Sequence, residues 1–183
     1  MMRILSRVLL VLVSLGFVLT TAMADEMSMS KVAKDKQNVL GLYVTSREAH
    51  DQMKMHGNKI LFLDIRDPVE LHVTGMPSDA DYNVAFKLIN TKKWDKKKSK
   101  FKLESNPNFI ADVADRLKAK GLNKNDKIIT FCGSGKRAAK AVNALAKAGY
   151  MHAYSVVDGM KGWSANKLPI DKKLDRKKIY GNP

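Results

Sequence analysis

The chain has one cysteine in 183 residues, Cys132. That excludes an intramolecular disulfide framework and any zinc site built on cysteine clusters. The four histidines, His50, His56, His72 and His152, show no zinc-binding spacing, and no internal repeat is present. Acidic residues are also scarce, 18 against 33 lysines and arginines, for a formal net charge of +15. A hydrophobic share of 45% is too high for a disordered basic tail and suits one domain with a real core.

Long hydrophobic runs are absent as well. The one extended run, Val8 to Leu19, is twelve residues, against the roughly 20 that a membrane-spanning helix needs. It follows the basic start "MMRILSR" and precedes "AMA" before Asp25, the pattern of a cleaved secretory signal over residues 1–24. This predicts a periplasmic protein. Loss of Arg3 and Arg7 with the signal leaves a mature net charge of +13. In an exported chain an unpaired cysteine is either buried and inert, a working thiol, or the partner in a dimer-forming disulfide.

Residues 25–40 are polar and aperiodic and are expected to form a flexible lead-in to a domain over 41–170, with 171–183 as a basic C-terminal tail. "TSRE", Thr45 to Glu48, has capping-box spacing and predicts a helix to about Met55. "KILFLDI" reads as a buried strand. Asn106 before Pro107, with Phe109, Val113 and Leu117 four apart and a stop at Gly121, predicts an amphipathic helix. "DKIITF" predicts a second strand, "KRAAKAVNALAKAGY" a helix with Ala138, Val142, Leu145 and Ala146 on one stripe, and "HAYSVV" a third strand. Strand alternating with helix indicates an α/β domain with a central, mainly parallel sheet flanked by helices on both faces.

"TKKWDKKKSKFK", Thr91 to Lys102, carries seven lysines around Trp94 and Phe101. It reads as an inserted surface loop, either merely solvated or, over Lys92–Lys102, a docking patch for an acidic protein or an anionic membrane surface. Export argues against a nucleic-acid partner. The methionine pairs Met27/Met29 and Met53/Met55 do not make a copper site, because Met53 and Met55 fall on different helix faces and the other two lie in the lead-in.

In "KIITFCGSGKR", Cys132 directly follows a buried strand, and its loop runs straight into a helix. Ligands of a parallel α/β sheet collect beyond the carboxyl ends of the strands, where helix amino ends present free N–H groups. Those donors, the helix dipole, Lys136 and Arg137 together favour a thiolate, and Gly133 and Gly135 let the amides turn inward around one sulfur. Cys132 is therefore read as a nucleophile.

The loop "CGSGKR" resembles the Cys-x-x-Gly-x-Arg active-site loop of the rhodanese family of sulfurtransferases. "LFLDIRDPVEL" resembles that family's Asp-x-Arg strand with its following Glu, here Asp64, Arg66 and Glu70, and "YSVVDGMKGW" resembles its strand followed by Gly-Gly-x-x-x-Trp. The likeness covers about Leu42 to Leu168. It implies a rhodanese-like fold, no cofactor, and transfer of a sulfane sulfur from a small anionic donor such as thiosulfate to a thiophilic acceptor through a Cys132 persulfide. It also implies that the amides of Gly133, Ser134, Gly135, Lys136 and Arg137 cradle the persulfide, that Lys136 and Arg137 orient the donor, and that Asp64 and Arg66 form a supporting buried pair. "TGMPSDADYNV" departs from the family's Gly-His-Ile-Pro-Gly-Ala stretch. "CGSG" resembles the mercaptopyruvate branch and Arg137 the thiosulfate branch, which leaves the donor open. Two alternatives stand beside this reading. One is a persulfide-carrying or regulatory binding module with little turnover. The other is a Cys-based phosphatase or arsenate reductase, weakened by a loop one residue too short.

Overall fold

The computed structural model describes residues 31–180; the expected export signal lies outside them. In chain order the elements are β1 (Tyr43–Val44), α1 (Ser46–His56), β2 (Ile60–Asp64), α2 (Pro68–Thr74), β3 (Met76–Pro77) and β4 (Tyr82–Asn83). There follow β5 (Lys87–Asp95), β6 (Lys100–Ser105), α3 (Phe109–Ala119), β7 (Lys127–Phe131), α4 (Lys136–Lys147), β8 (Ala153–Val156), α5 (Gly159–Ala165), β9 (Ile170–Asp171) and α6 (Arg176–Tyr180). The central sheet runs β1-β8-β7-β2-β4, with every pair parallel.

Period-two alternation of buried side chains divides the core between the two faces of the sheet. Leu61 and Leu63 of β2 and Ile128 of β7 pack against Val113 and Leu117 of α3 and Val142 and Leu145 of α4. Phe62, Ile129 and Phe131 pack on the other face against Ala49, Leu71, Trp163 and Ile179, which come from α1, α2, α5 and α6. The α/β class expected from the sequence is the observed one. Four strands, β1, β3, β4 and β9, escaped sequence reading because two residues give no period to detect.

Four local expectations are corrected. Residues 31–40 are docked rather than a loose lead-in: the buried Asn38 amide donates to Leu42 O at 2.9 Å and Ser155 Oγ at 3.0 Å, and Val32 packs on Tyr43 and Val157. Polar composition hid this, because the segment is held mainly by hydrogen bonds. Residues 171–180 are not a loose tail. β9 pairs antiparallel with β3, and α6 buries Ile179 while Lys178 Nζ reaches Ala80 O at 3.2 Å. Helix α3 begins at Phe109 rather than Pro107, since the Asn106 side chain closes a turn onto Asn108 N. Finally, the lysine-rich insertion is a β-ribbon, β5 paired antiparallel with β6.

That ribbon carries an irregularity between Asn90 and Trp94, where the register steps from Asn90↔Lys102 to Trp94↔Phe101. The extra residues on β5 turn Trp94 onto the face that already holds Ile89, Leu103 and Phe101. Trp94 and Phe101 meet edge to face, with centroids 5.1 Å apart. Asp67 ties the ribbon to the body: one carboxylate oxygen caps α2 at Val69 N, and the other accepts from Ile89 N at 2.8 Å.

Candidate active site

Because the central strands are parallel, β2 and β7 end together, with Asp64 in register with Phe131. Cys132 is the next residue. Its loop closes at Gly135, which is both the N-cap of α4 and left-handed, with φ of 85°. A Cβ there would lie 2.3 Å from Val157 O, so both conformation and space demand glycine. The Gly135 N–H donates to Cys132 Sγ at 3.2 Å, and the positive end of a twelve-residue helix faces the sulfur. Gly159 supports the loop from below: a Cβ on it would fall 2.3 Å from Cys132 O, and the next residue, Met160, donates its N–H to that same oxygen at 3.0 Å.

Cys132 is 0% exposed and belongs to the core cluster that holds Leu63, Val84 and Ala138. Among the described residues the hydrogen bond to Sγ comes from Gly135 N–H, so the inward turn of all five amides expected from the sequence reduces in this state to one direct contact. No described histidine hydrogen-bonds to Sγ. His50 is instead held by Asp79 at 2.5 Å and packs edge-on against Trp163.

Lys136 and Arg137, expected to orient an anionic donor, are both engaged with carboxylates. Lys136 Nζ lies 2.5 Å from Asp35, which the docked residues 31–40 bring to the start of α4. Arg137 makes a two-pronged contact with Glu70, Nη1 to Oε2 at 2.5 Å and Nη2 to Oε1 at 2.6 Å. Burial would raise the Glu70 carboxyl, but the guanidinium of Arg137 and the Asp67 N–H outweigh it and hold Glu70 below its ordinary value. Burial would likewise lower Arg137, yet Glu70 and, less strongly, Cys132 hold it above its ordinary value. Glu70 was noticed in sequence as part of a motif, whereas its role as Arg137's partner was not. "DPVE" does carry a readable signal: Asp67 and Glu70 form the capping box of α2, which fixes Glu70 at the start of that helix.

Asp64 and Arg66 form a buried pair. Arg66 Nε donates to Asp64 Oδ1 at 2.9 Å, Nη1 to Thr74 Oγ1 at 2.6 Å and Nη2 to Gly75 O at 2.7 Å. Full burial pushes the Asp64 carboxyl above its ordinary value while Arg66 pulls against that shift. The Asn83 amide clamps the same turn by donating to Asp64 O and Arg66 O. These groups brace the end of β2 beside the loop.

Two hollows meet over the cysteine loop. One, of about 330 Å³, is largely apolar, lined by Val69 and Val73 of α2, Met160 and Gly133. The other, of about 630 Å³, has Ser134, Arg137 and Glu70 at its base and Ile89, Trp94, Phe101 and Leu103 of the ribbon as its wall. The insertion read as peripheral is thus part of the site. What the geometry can do is hold one anionic sulfur at a helix terminus, under a small loop, between an apolar and a mixed aromatic hollow.

Comparison with known proteins agrees with this arrangement. Residues 46–166 match the family model described as the rhodanese-like domain. The chain is 33% identical over 67 residues to thiosulfate sulfurtransferase 16, chloroplastic, of Arabidopsis thaliana, covering 37% of this chain and 52% of that one. It is 30% identical over 114 residues to senescence-associated protein DIN1 of Raphanus sativus, covering 60% of this chain and 51% of that one. It therefore spans about half the length of these curated relatives. Among solved structures it resembles Rv0390 from M. tuberculosis, with a TM-score of 0.51, 22% identity and coverage of 70% of this chain and 96% of that one. It also resembles a thiosulfate sulfurtransferase from Pseudomonas aeruginosa, with a TM-score of 0.53, 12% identity and coverage of 78% and 22%. At these identities the structural likeness speaks for the fold, and the family match over more than half of the sequence speaks for kinship: the chain belongs to the rhodanese-like domain family.

Proposed function

We propose that the protein moves a sulfane sulfur from an anionic donor to a thiophilic acceptor by way of a persulfide on Cys132. The observation that carries this reading is the position of the sole thiol: at the carboxyl end of β7, accepting from Gly135 N–H and facing the amino terminus of α4. With thiosulfate as donor, the Cys132 thiolate attacks the outer sulfur, a bond between the two sulfurs forms, and the donor's S–S bond breaks with its electron pair leaving on sulfite. An acceptor such as cyanide or a thiolate then attacks the outer sulfur of the persulfide, the Cys132 S–S bond breaks, and the thiolate returns. The added sulfur projects further toward the loop amides than Sγ does, where a six-residue loop has room for a single extra atom. Arg137 borders the larger hollow and, steadied by Glu70, meets the donor's anionic end. Residues 1–24 direct this chemistry to the periplasm. Steady-state cyanolysis of thiosulfate, mercaptopyruvate and polysulfide, compared between the wild type and Cys132→Ser, tests the reading; a variant as active as the wild type overturns it.

A second reading, a persulfide carrier with little turnover of its own, is favoured by two features: Sγ is fully covered, and both neighbouring cations are already paired. It predicts that Cys132 loads and holds its sulfur until a partner arrives.

A further inference from the structure

A groove of about 380 Å³ runs between the β5–β6 ribbon and the outer face of the first turns of α4. Its cations are Lys87, Lys98, Lys100 and Lys102 from the ribbon and Lys136, Arg137 and Lys140 from the helix. Carboxylates account for some of that charge. Lys136 is paired with Asp35 and Arg137 with Glu70, while Asp95 in the groove wall accepts from the backbone N–H groups of Lys97 and Lys98 at the ribbon turn. Among the described residues Lys87, Lys98, Lys100, Lys102 and Lys140 make no ion pair. The other acid of the ribbon, Glu104, is committed to Lys93 and Asn90.

The groove shares Arg137, Lys100, Phe101 and Leu103 with the hollow above Ser134, so at one end it opens onto the cysteine loop. We propose that it receives an acidic segment of a partner polypeptide and thereby steers that partner's sulfur-accepting or sulfur-donating group to Cys132. This rests on the sulfur-transfer reading for its purpose, though the binding itself does not. The occupant follows from charge and shape. A small dianion needs one or two cations, whereas five lysines without an ion pair line the groove against the single carboxylate of Asp95, an arrangement that complements several carboxylates in series. A flat anionic bilayer does not enter a concave groove, and the aromatic pair Trp94 and Phe101, 51% and 43% exposed, offers the segment an apolar anchor beside the charges.

The test uses fluorescein-labelled decaglutamate and decaglutamine peptides, with binding to the purified protein read by anisotropy. The acidic peptide should bind at least about tenfold more tightly than the neutral one at low ionic strength, and the advantage should shrink as salt approaches 0.15 M, where the Debye length is about 8 Å. Lys98→Glu/Lys140→Glu should erase it, and Lys98→Gln/Lys140→Gln should weaken it, with unchanged circular dichroism in both. Equal binding of the two peptides, or an acidic preference that survives charge reversal, overturns the proposal. So does lysine-dependent binding to vesicles of 30% phosphatidylglycerol without peptide binding, which makes the surface a membrane face. If the acidic peptide binds as described but Cys132 takes up no sulfur from any donor, the docking groove stands and the sulfur-transfer reading falls.

Discussion

Glu70 Oε2 serves two partners at once: it accepts from Arg137 Nη1 at 2.5 Å and from the backbone N–H of Asp67 at 3.1 Å. One carboxylate therefore joins the start of α2 to the start of α4, and through Asp67 it is linked to the ribbon at Ile89. Glu70→Gln keeps the shape but loses the charge. It should destabilise the protein by about 1–3 kcal/mol, toward the low end because the pair is partly open to solvent, and free Arg137 to move. Chemical denaturation measures the first effect, and a rise in KM for thiosulfate larger than any fall in kcat measures the second.

The same pair has a pH signature. Glu70 lies below its ordinary value of 4.5 in the folded protein. A carboxylate depressed by folding contributes stability that is fully present above its unfolded value and is lost as pH falls through the folded one. The stability gap between wild type and Glu70→Gln should accordingly stay constant from neutral pH down to about 5 and close as pH drops below 4.5. A gap that widens in acid contradicts the ion-pair account.

Gly135 and Gly159 make a matched prediction. Alanine at Gly135 meets both a left-handed backbone and the Val157 carbonyl, and alanine at Gly159 meets the Cys132 carbonyl. Each should cost more than about 1 kcal/mol. Gly159→Ala touches neither Sγ nor any charged group, yet it should slow sulfur uptake by displacing the loop. If it lowers stability and leaves uptake at the wild-type rate, loop placement does not control the chemistry.

Burial of Cys132 predicts selectivity by size. Cyanide, sulfide and sulfite should discharge the persulfide at least about tenfold faster than glutathione at equal concentration, because a bulky acceptor reaches a buried sulfur only after its surroundings open. Single-turnover stopped flow with each acceptor gives the ratio; equal rates contradict a covered sulfur.

Export is tested separately, by amino-terminal sequencing of the protein recovered from the periplasm. The first residue should be Asp25. A full-length product held in the inner membrane contradicts the signal reading of residues 1–24.

The parts of this molecule legible in the sequence are those whose signals are local. The capping box at Thr45, the Phe109–Val113–Leu117 stripe and the apolar runs of β2 and β7 report their own structure, and the strand–loop–helix order around Cys132 places it at the sheet edge. What was not legible depends on meetings across the chain. Glu70 and Arg137 are far apart in sequence, as are Asp35 and Lys136, and no periodicity announces either pair. The ribbon was misread because seven lysines mask its strand alternation, and its position over the loop follows from ties distant in sequence, Asp67 to Ile89 and Ile65 to Phe86 among them. The order of residues 31–40 and of α6 rests on a few buried groups, Asn38 and Ile179 among them, set in polar surroundings.

The account turns on whether the buried thiol carries sulfur. Incubation with thiosulfate, mercaptopyruvate or polysulfide, followed by intact-mass spectrometry, measures this directly. At least one donor should add a single sulfur atom, cyanide should remove it, and Cys132→Ser should take up none while keeping the wild-type circular dichroism spectrum. A wild-type protein whose mass is unchanged by all three donors, or a serine variant that gains the same sulfur, contradicts it.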